Sequence, residues 1–498
     1  MQTEEIAYTI SLIFYYTSQH TIEGAGKAEE LLERLIAEGR DGGNGAAHIE
    51  AKIYNAVIDG YAKSKSQDGP IKAESVLNRM VDRYETNIAD KNDEWMPAEP
   101  DITAYNSLMN AWCQSTRKDA VSKAEAIMSK LESDEVHLDP NGITYNIMMN
   151  TYANQVGEYG YAQKAEDILL LMSALQKDGT KGISLDTLSF NIVLKAWKNS
   201  GGGVESARRA EDILRLMMKL YADGHVDVKP DIISFQTTIH AYTKPHEEER
   251  GLSAEVIDHL EGIASLLVKD TSDLASTNGI VYRTCNTVID YIGKSGLDDA
   301  GDRADRVLDV LIGASGRTND APDISTYTHV MNAYLANEKT AHKAHAMATE
   351  LIAGNAPVLP NTFCLNSILH FHCKNNDVAS AEQLFQTMIN VADEKGYRTR
   401  PDVATFNMMA NMYFHDKRKD SAEQIFQILE RMEQAHDTGT LNQLDPFIYN
   451  VVVNKLSKSK MAESGSKAYG VLMRMVNRFD SGELQNQPDT IGESTRCM

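Results

Sequence analysis

The segment Ala104-Tyr-Asn-Ser-Leu-Met-Asn-Ala-Trp112 decides the fold. Its residues Tyr105, Leu108, Met109 and Trp112 stand at offsets of three, four and seven, which puts all of them on one face of an α-helix. The pattern returns as Ile53-Tyr-Asn-Ala-Val-Ile-Asp-Gly-Tyr61 and as Thr144-Tyr-Asn-Ile-Met-Met-Asn-Thr-Tyr152. Further copies start at Ser189, Ser234, Thr284, Thr326, Cys364, Thr405 and Ile448, and a weaker one, Tyr8 to Tyr16, lacks the Asn. We call this element helix A.

A second element follows each copy. Its apolar positions are Ala124, Ile127, Met128 and Leu131 in one repeat, then Ala165, Ile168, Leu169 and Met172, Ala210, Ile213, Leu214 and Met217, and Ala381, Leu384, Phe385 and Met388. The small Ala admits close helix approach, and an acid usually follows it (Glu125, Glu166, Glu211, Glu382, Glu423), early in the helix where it suits the dipole. This is helix B. A hairpin with one apolar stripe per helix cannot bury both stripes alone, so hairpins stack on their neighbours. The turn before the next helix A often reads Pro-Asp or Pro-Asn (Pro100-Asp101, Pro140-Asn141, Pro230-Asp231, Pro322-Asp323, Pro360-Asn361, Pro401-Asp402). Proline ends one helix, and Asp or Asn caps the next. The expected fold is all-α, a right-handed α-solenoid of about eleven helix-turn-helix repeats. Residues 1–50 form a degenerate first repeat, 51–489 an array of ten, and 490–498 a tail that reads as the start of a further repeat. Spacing between successive Asn positions is uneven, 51 residues from Asn55 to Asn106 but 40 from there to Asn146. The stretches Glu85–Glu99 and Asp270–Gly279 are expected to loop out and absorb the excess.

Composition suits this plan. The 498 residues are 42% apolar with only 12 prolines, and no run of about 18 apolar residues suggests a membrane span. Five cysteines without a CxxC pair (Cys113, Cys285, Cys364, Cys373, Cys497) read as reduced structural thiols. A formal charge of −22 argues, taken whole, against nucleic acid, so the placement of charge must decide. The acidic N-terminus, Met1-Gln-Thr-Glu-Glu, has no targeting character.

The Tyr-Asn opening of helix A, the small-apolar helix B and the Pro-Asp closure resemble pentatricopeptide repeat proteins, over about residues 51–489. The resemblance is to arrays without a catalytic C-terminal extension. It implies sequence-selective binding of single-stranded RNA, about one base per repeat. It also implies action in mitochondria or chloroplasts on transcript processing, stability or translation, with processing enzymes or other proteins as possible partners. No DNA, membrane or cofactor is implied. In the family the Asn after the helix A aromatic contacts the base, and the last residue of the repeat is the second specificity position. Carried over, the pairs are Asn55 with Asp101, Asn106 with Asn141, Asn146 with Asp186, Asn191 with Asp231, Asn286 with Asp323, Thr328 with Asn361, Asn366 with Asp402, Asn407 with Asp445 and Asn450 with Asp489. The repeat of Gln236 and Val281 departs and is assigned no base. Asn–Asp implies uridine, Asn–Asn a pyrimidine, Thr–Asn adenine. The implied target is a U-rich tract with one unassigned base followed two places later by A. Asp also caps the next helix, so a run of Asn–Asp has a purely structural explanation too.

Two further positions matter in the family. Near the end of helix A a lysine faces the RNA backbone, here Lys63, Lys244, Lys294, Lys374 and Lys458, with Lys198 one place earlier in its repeat. Lysine at a helix C-terminus also complements the dipole without any ligand. The second residue of each repeat is usually an apolar side chain that brackets bases. It is Ile143, Leu188, Ile233, Phe363 and Phe447 here, but Lys52, Thr103, Arg283, Ser325 and Ala404 elsewhere. The competing reading is a helical-repeat scaffold holding a peptide or partner protein in its groove, which the acidic charge and missing brackets favour.

No catalytic constellation stands out, and the chain reads as non-enzymatic. His370, His372 and Cys373 suggest a metal cluster, but helix positions two apart face opposite ways and the residues read as packing. Gly201-Gly-Gly203 lacks the Lys-Ser/Thr of a phosphate loop and reads as an A–B turn, and His246-Glu-Glu-Glu249 as a solvated charge run in another.

Overall fold

A computed structural model describes residues 2–41, 50–89, 98–133, 136–244, 253–270, 280–315, 322–459 and 463–484. Among these the chain is helical, without a strand, and it divides into two compact units, Met1–Glu249 and Arg250–Met498. The first holds the hairpins α1 (Gln2–Thr17) with α2 (Ile22–Asp41), α3 (Ala51–Lys63) with α4 (Gly69–Ala89), α5 (Ile102–Cys113) with α6 (Ala120–Glu132), α7 (Gly142–Ala153) with α8 (Tyr159–Lys177) and α9 (Thr187–Asn199) with α10 (Gly203–Ala222), and then α11 (Ile232–Thr243). The second opens on α12 (Ala254–Asp270) and continues with α13 (Ile280–Lys294) and α14 (Ala300–Ser315), α15 (Ile324–Leu335) and α16 (Ala341–Ala353), α17 (Thr362–Lys374) and α18 (Val378–Lys395), α19 (Val403–His415) and α20 (Ser421–Asp437), and α21 (Pro446–Lys458) and α22 (Ser464–Asp480).

Each unit is a two-layer helical-repeat stack. The A helices pack on one another in order, α3 on α5, α5 on α7, α7 on α9, and likewise α13 to α21. Within each unit the B helices lie between successive A helices, as α8 does on α7 and α9. The stripes foreseen from spacing carry the core: Tyr105, Leu108, Met109 and Trp112 are buried, as are Ala124, Ala165, Ala210 and Ala381. Glycine serves close approach at Gly301, where a Cβ would stand 2.1 Å from Cδ1 of Tyr334. Gly201 holds the α9–α10 turn at φ +75°, with a Cβ there 2.9 Å from Gly157, in keeping with the turn reading of Gly201–Gly203.

One boundary moves. Helix α4 continues to Ala89, so the expected loop from Glu85 starts later. Residues 90–97 and 271–279, His246–Glu249, Asp489, Thr490–Met498 and Cys497 lie outside the described residues. Cys113, Cys285, Cys364 and Cys373 are free thiols, and burial pushes Cys285 up to about 12 and Cys364 up to about 11.

A clip recurs at the joints. The last aromatic of one helix A donates to the acid early in the preceding helix B: Tyr152 to Glu125 at 2.8 Å, Trp197 Nε1 to Glu166 at 2.8 Å, Tyr242 to Glu211 at 2.7 Å, Tyr334 to Asp305 at 2.8 Å. Tyr61 to Glu29 and Tyr413 to Glu382 repeat it. A base from the following helix B usually completes it, as Lys164 reaches Glu125 at 2.8 Å and Arg209 reaches Glu166 at 2.5 Å. The acid after the helix B alanine therefore does more than suit a dipole. It ties consecutive hairpins together through a charge-assisted hydrogen bond.

Candidate nucleic-acid interface

The repeat-closing Asp and Asn residues are helix caps. Asp101, Asn141, Asp186, Asp231, Asp323, Asn361 and Asp402 each accept from the backbone N–H three residues on, and Asp445, followed by Pro446, from that of Phe447. Most also hold the Asn of the preceding helix A. Asn55 Nδ2 donates to Asp101 at 3.1 Å, Asn191 to Asp231 at 3.1 Å, Asn366 to Asp402 at 3.1 Å, Asn407 to Asp445 at 2.6 Å and Asn106 to Asn141 Oδ1 at 3.4 Å. The structural and the specificity readings of these acids therefore coexist, since a carboxylate has lone pairs for both donors.

The amide carbonyls fall into two groups. Asn191 Oδ1 accepts from the Ser234 hydroxyl at 2.7 Å and Asn366 Oδ1 from Thr405 at 2.8 Å. In Asn55, Asn106, Asn146, Asn286 and Asn407 the Oδ1 is buried with no donor in reach. Thr328 differs again, because its hydroxyl donates back to the Ile324 carbonyl at 2.7 Å while Asn361 serves only as a cap. Asn450 lies on α21, and its expected partner Asp489 is outside the described residues.

The exposed face of the A helices carries the second-position residues. Ile143, Leu188, Ile233 and Phe363 are 62%, 57%, 55% and 68% exposed, unusual for apolar side chains of this size on three consecutive repeats and a fourth. Ile143, Leu188 and Ile233 line one pocket of about 480 Å³ together with Asn146, Asn191 and Lys198. In the second unit Phe363, Asn366, His370, Lys374 and Asp402 line another of about 470 Å³.

The lysines are not equivalent. Lys63 is paired with Asp59 at 2.6 Å and Lys294 with Asp290 at 2.6 Å, one helical turn before each. Lys458 rests over the Phe414 ring at 5.7 Å, and Lys374 borders the second pocket. Lys198 has burial and the like charges of Lys244 and Lys195 pulling it below the usual lysine range, so three ammonium groups converge beside the first pocket. Lys195 was not singled out from sequence, because it breaks the spacing of the lysine row. It sits one turn beyond Asn191 on the same face, where its ammonium reaches Asn150 Oδ1 at 2.9 Å and Asn154 Oδ1 at 2.6 Å. That one-turn offset was the available signal.

Family models place the repeat in known company. Residues 97–155 match a pentatricopeptide repeat domain and residues 363–390 a PPR repeat. With the same hairpin in register between and beyond these matches, the chain carries pentatricopeptide repeats within an array of similar hairpins. No curated protein matches it. Among solved structures it is similar to the pentatricopeptide repeat protein PPR10 from maize, 15% identical over 95% of this chain and 64% of that one, TM-score 0.32. The same protein in complex with an 18-nt psaJ RNA element is 15% identical over 96% and 61%, TM-score 0.33. A circular tandem repeat protein is 11% identical over 95% of each, TM-score 0.13. The chain spans about three-fifths of the length of the maize structures.

Proposed function

We infer that the chain binds single-stranded RNA along the exposed face of its A helices, about one base per repeat, and leaves chemistry to others. The observation that carries this is the pocket of Ile143, Leu188 and Ile233 with Asn146, Asn191, Lys195 and Lys198, where the charge of Lys244 also reaches Lys198. Flat apolar brackets suit base faces, amides suit base edges, and clustered ammonium groups suit phosphates. Each middle bracket serves two neighbours, so Leu188 would stand between the bases read by Asn146 and Asn191.

A primary amide held by a carboxylate keeps one N–H and a carbonyl lone pair for a pyrimidine edge. Where the Asn carbonyl is buried and unpaired it forgoes about 1–3 kcal/mol. A ligand N–H reaching it after a small side-chain rotation would recover that energy. By the pairs above, the target is U-rich, with adenine at Thr328 and a pyrimidine at Asn106. As in the family, the setting would be an organelle, with a role in transcript processing, stability or translation.

A second reading, a scaffold for a peptide or partner protein, draws on the charge of −22 and on Asp59 and Asp290 beside Lys63 and Lys294. Filter binding at physiological salt separates the two. RNA readout requires U-rich single strands to bind better than poly(A) and duplex RNA; equal retention of all three contradicts it.

A further inference from the structure

The clip is missing at several joints among the described residues, where Trp112 Nε1 has no partner and Ile292 and Leu456 stand at the aromatic position, and one further joint pairs two histidines instead. Between α16 and α17 the acid position after Ala344 is His345, and the position of the last aromatic is His372. The two imidazoles meet through their Nε2 atoms, ring centroids 4.5 Å apart and planes at 66°. No base joins them from the following helix, where Lys164, Arg209 and Lys343 have their counterpart in Ser380.

Tautomers follow from the other ring nitrogens. His345 Nδ1 lies 2.7 Å from the Ala341 carbonyl, which can only accept, so Nδ1 carries the hydrogen. His372 Nδ1 lies 2.9 Å from Oδ2 of Asp377, a carboxylate that already accepts from the Ser380 backbone N–H at the start of α18, so it too accepts. In each neutral ring the lone pair then sits on Nε2, and the two lone pairs face each other without a donor between them. Imidazoles with Nδ1–H fixed on a carbonyl or carboxylate and Nε2 presented are the arrangement of metal-bound histidine.

We propose that His345 and His372 form a transition-metal site, taking a borderline ion such as Zn²⁺ on their two Nε2 atoms with water completing the coordination. The ion stands where six other joints use a hydrogen-bonded acid, so metal loading stiffens one joint of the stack, next to the repeat of Thr328. The site uses a partner 27 residues away from His372 rather than its neighbours His370 and Cys373.

The test is equilibrium dialysis of the full chain against Zn²⁺ with metal quantification, alongside thermal melts. Wild type should bind one Zn²⁺ per chain at this joint and melt at a higher temperature when loaded. The double variant His345→Glu/His372→Tyr rebuilds the clip of the other joints, so it should fold, lose that Zn²⁺ and melt independently of metal. Asp377→Ser keeps the cap of α18 but frees His372 Nδ1, and should weaken binding about 10–100-fold. Equal Zn²⁺ binding by wild type and the double variant, or no metal-dependent melting shift in wild type, overturns the proposal.

Discussion

The exposed face of the A helices is built differently in the two units. Along α7, α9 and α11 three aliphatic brackets follow without a gap, and Lys195, Lys198 and Lys244 gather beside them. Along α15, α17, α19 and α21 the brackets alternate, Ser325, Phe363, Ala404, Phe447, and the clustered bases lie at the far end, where Lys417, Lys419, Lys455 and Lys458 line one pocket with Arg418. Repeat number alone therefore does not set binding strength. On the proposed function, consecutive brackets would enclose a base on both sides, while alternating ones would leave one face of each base open to water. The account places most of the RNA affinity in residues 142–244, with the later repeats adding selectivity.

The largest expected effect is on charge. Lys195→Ala/Lys198→Ala/Lys244→Ala should lower affinity on the order of ten- to a hundredfold at physiological salt. It should also flatten the log–log salt slope by about 2, at about 0.7 per phosphate on a single strand. Lys63→Ala/Lys294→Ala should change both little, since Asp59 and Asp290 already take up those charges. Asp59→Asn/Asp290→Asn should tighten binding modestly by releasing them. A larger loss from the Lys63/Lys294 pair than from the triple variant breaks the comparison.

Next comes Leu188→Ala, which opens two base positions and should cost about 1–3 kcal/mol in RNA affinity, more than Phe363→Ala. Calorimetric melts of both variants should match wild type, because both side chains are more than half exposed.

Stability gives a third contrast, between two joints of the first unit. Glu166→Ala leaves the Trp197 indole N–H and the Arg209 guanidinium without their partner and should cost about 1–3 kcal/mol by denaturant titration. Trp112→Phe should lose no hydrogen bond, since the buried Trp112 Nε1 has no partner, and costs only its packing. The smallest effect in energy is Thr328→Asn. It should leave overall affinity nearly unchanged while shifting preference at one position from adenine towards uridine, read by competition between RNAs differing at that base.

Much of this was legible in the sequence because it is periodic. The hairpins, their apolar stripes and the Asp and Asn caps follow from offsets of three, four and seven and from Pro-Asp closures. The pairing of Asn55, Asn191, Asn366 and Asn407 with the acid closing the repeat came through the family resemblance, and the structure brings those side chains together. What stayed hidden depends on contacts rather than period. A row of lysines looks uniform until Asp59 and Asp290, one turn earlier, neutralise two of them. Lys195 lies off the row, and its role appears only once α7 and α9 are side by side. The clip acids look like dipole partners until the next helix A lays a Tyr or Trp on them. His372, read as packing, is indeed buried, but its partner His345 lies on another helix.

The most direct measurement is ultraviolet crosslinking of a U-rich RNA carrying 4-thiouridine at successive positions, with the crosslinked peptides identified by mass spectrometry. The account predicts crosslinks on the A helices, strongest in α7, α9 and α11 near Asn146, Leu188 and Asn191, and moving one repeat per nucleotide. Crosslinks falling mainly on B helices, or showing no dependence on thiouridine position, would contradict it.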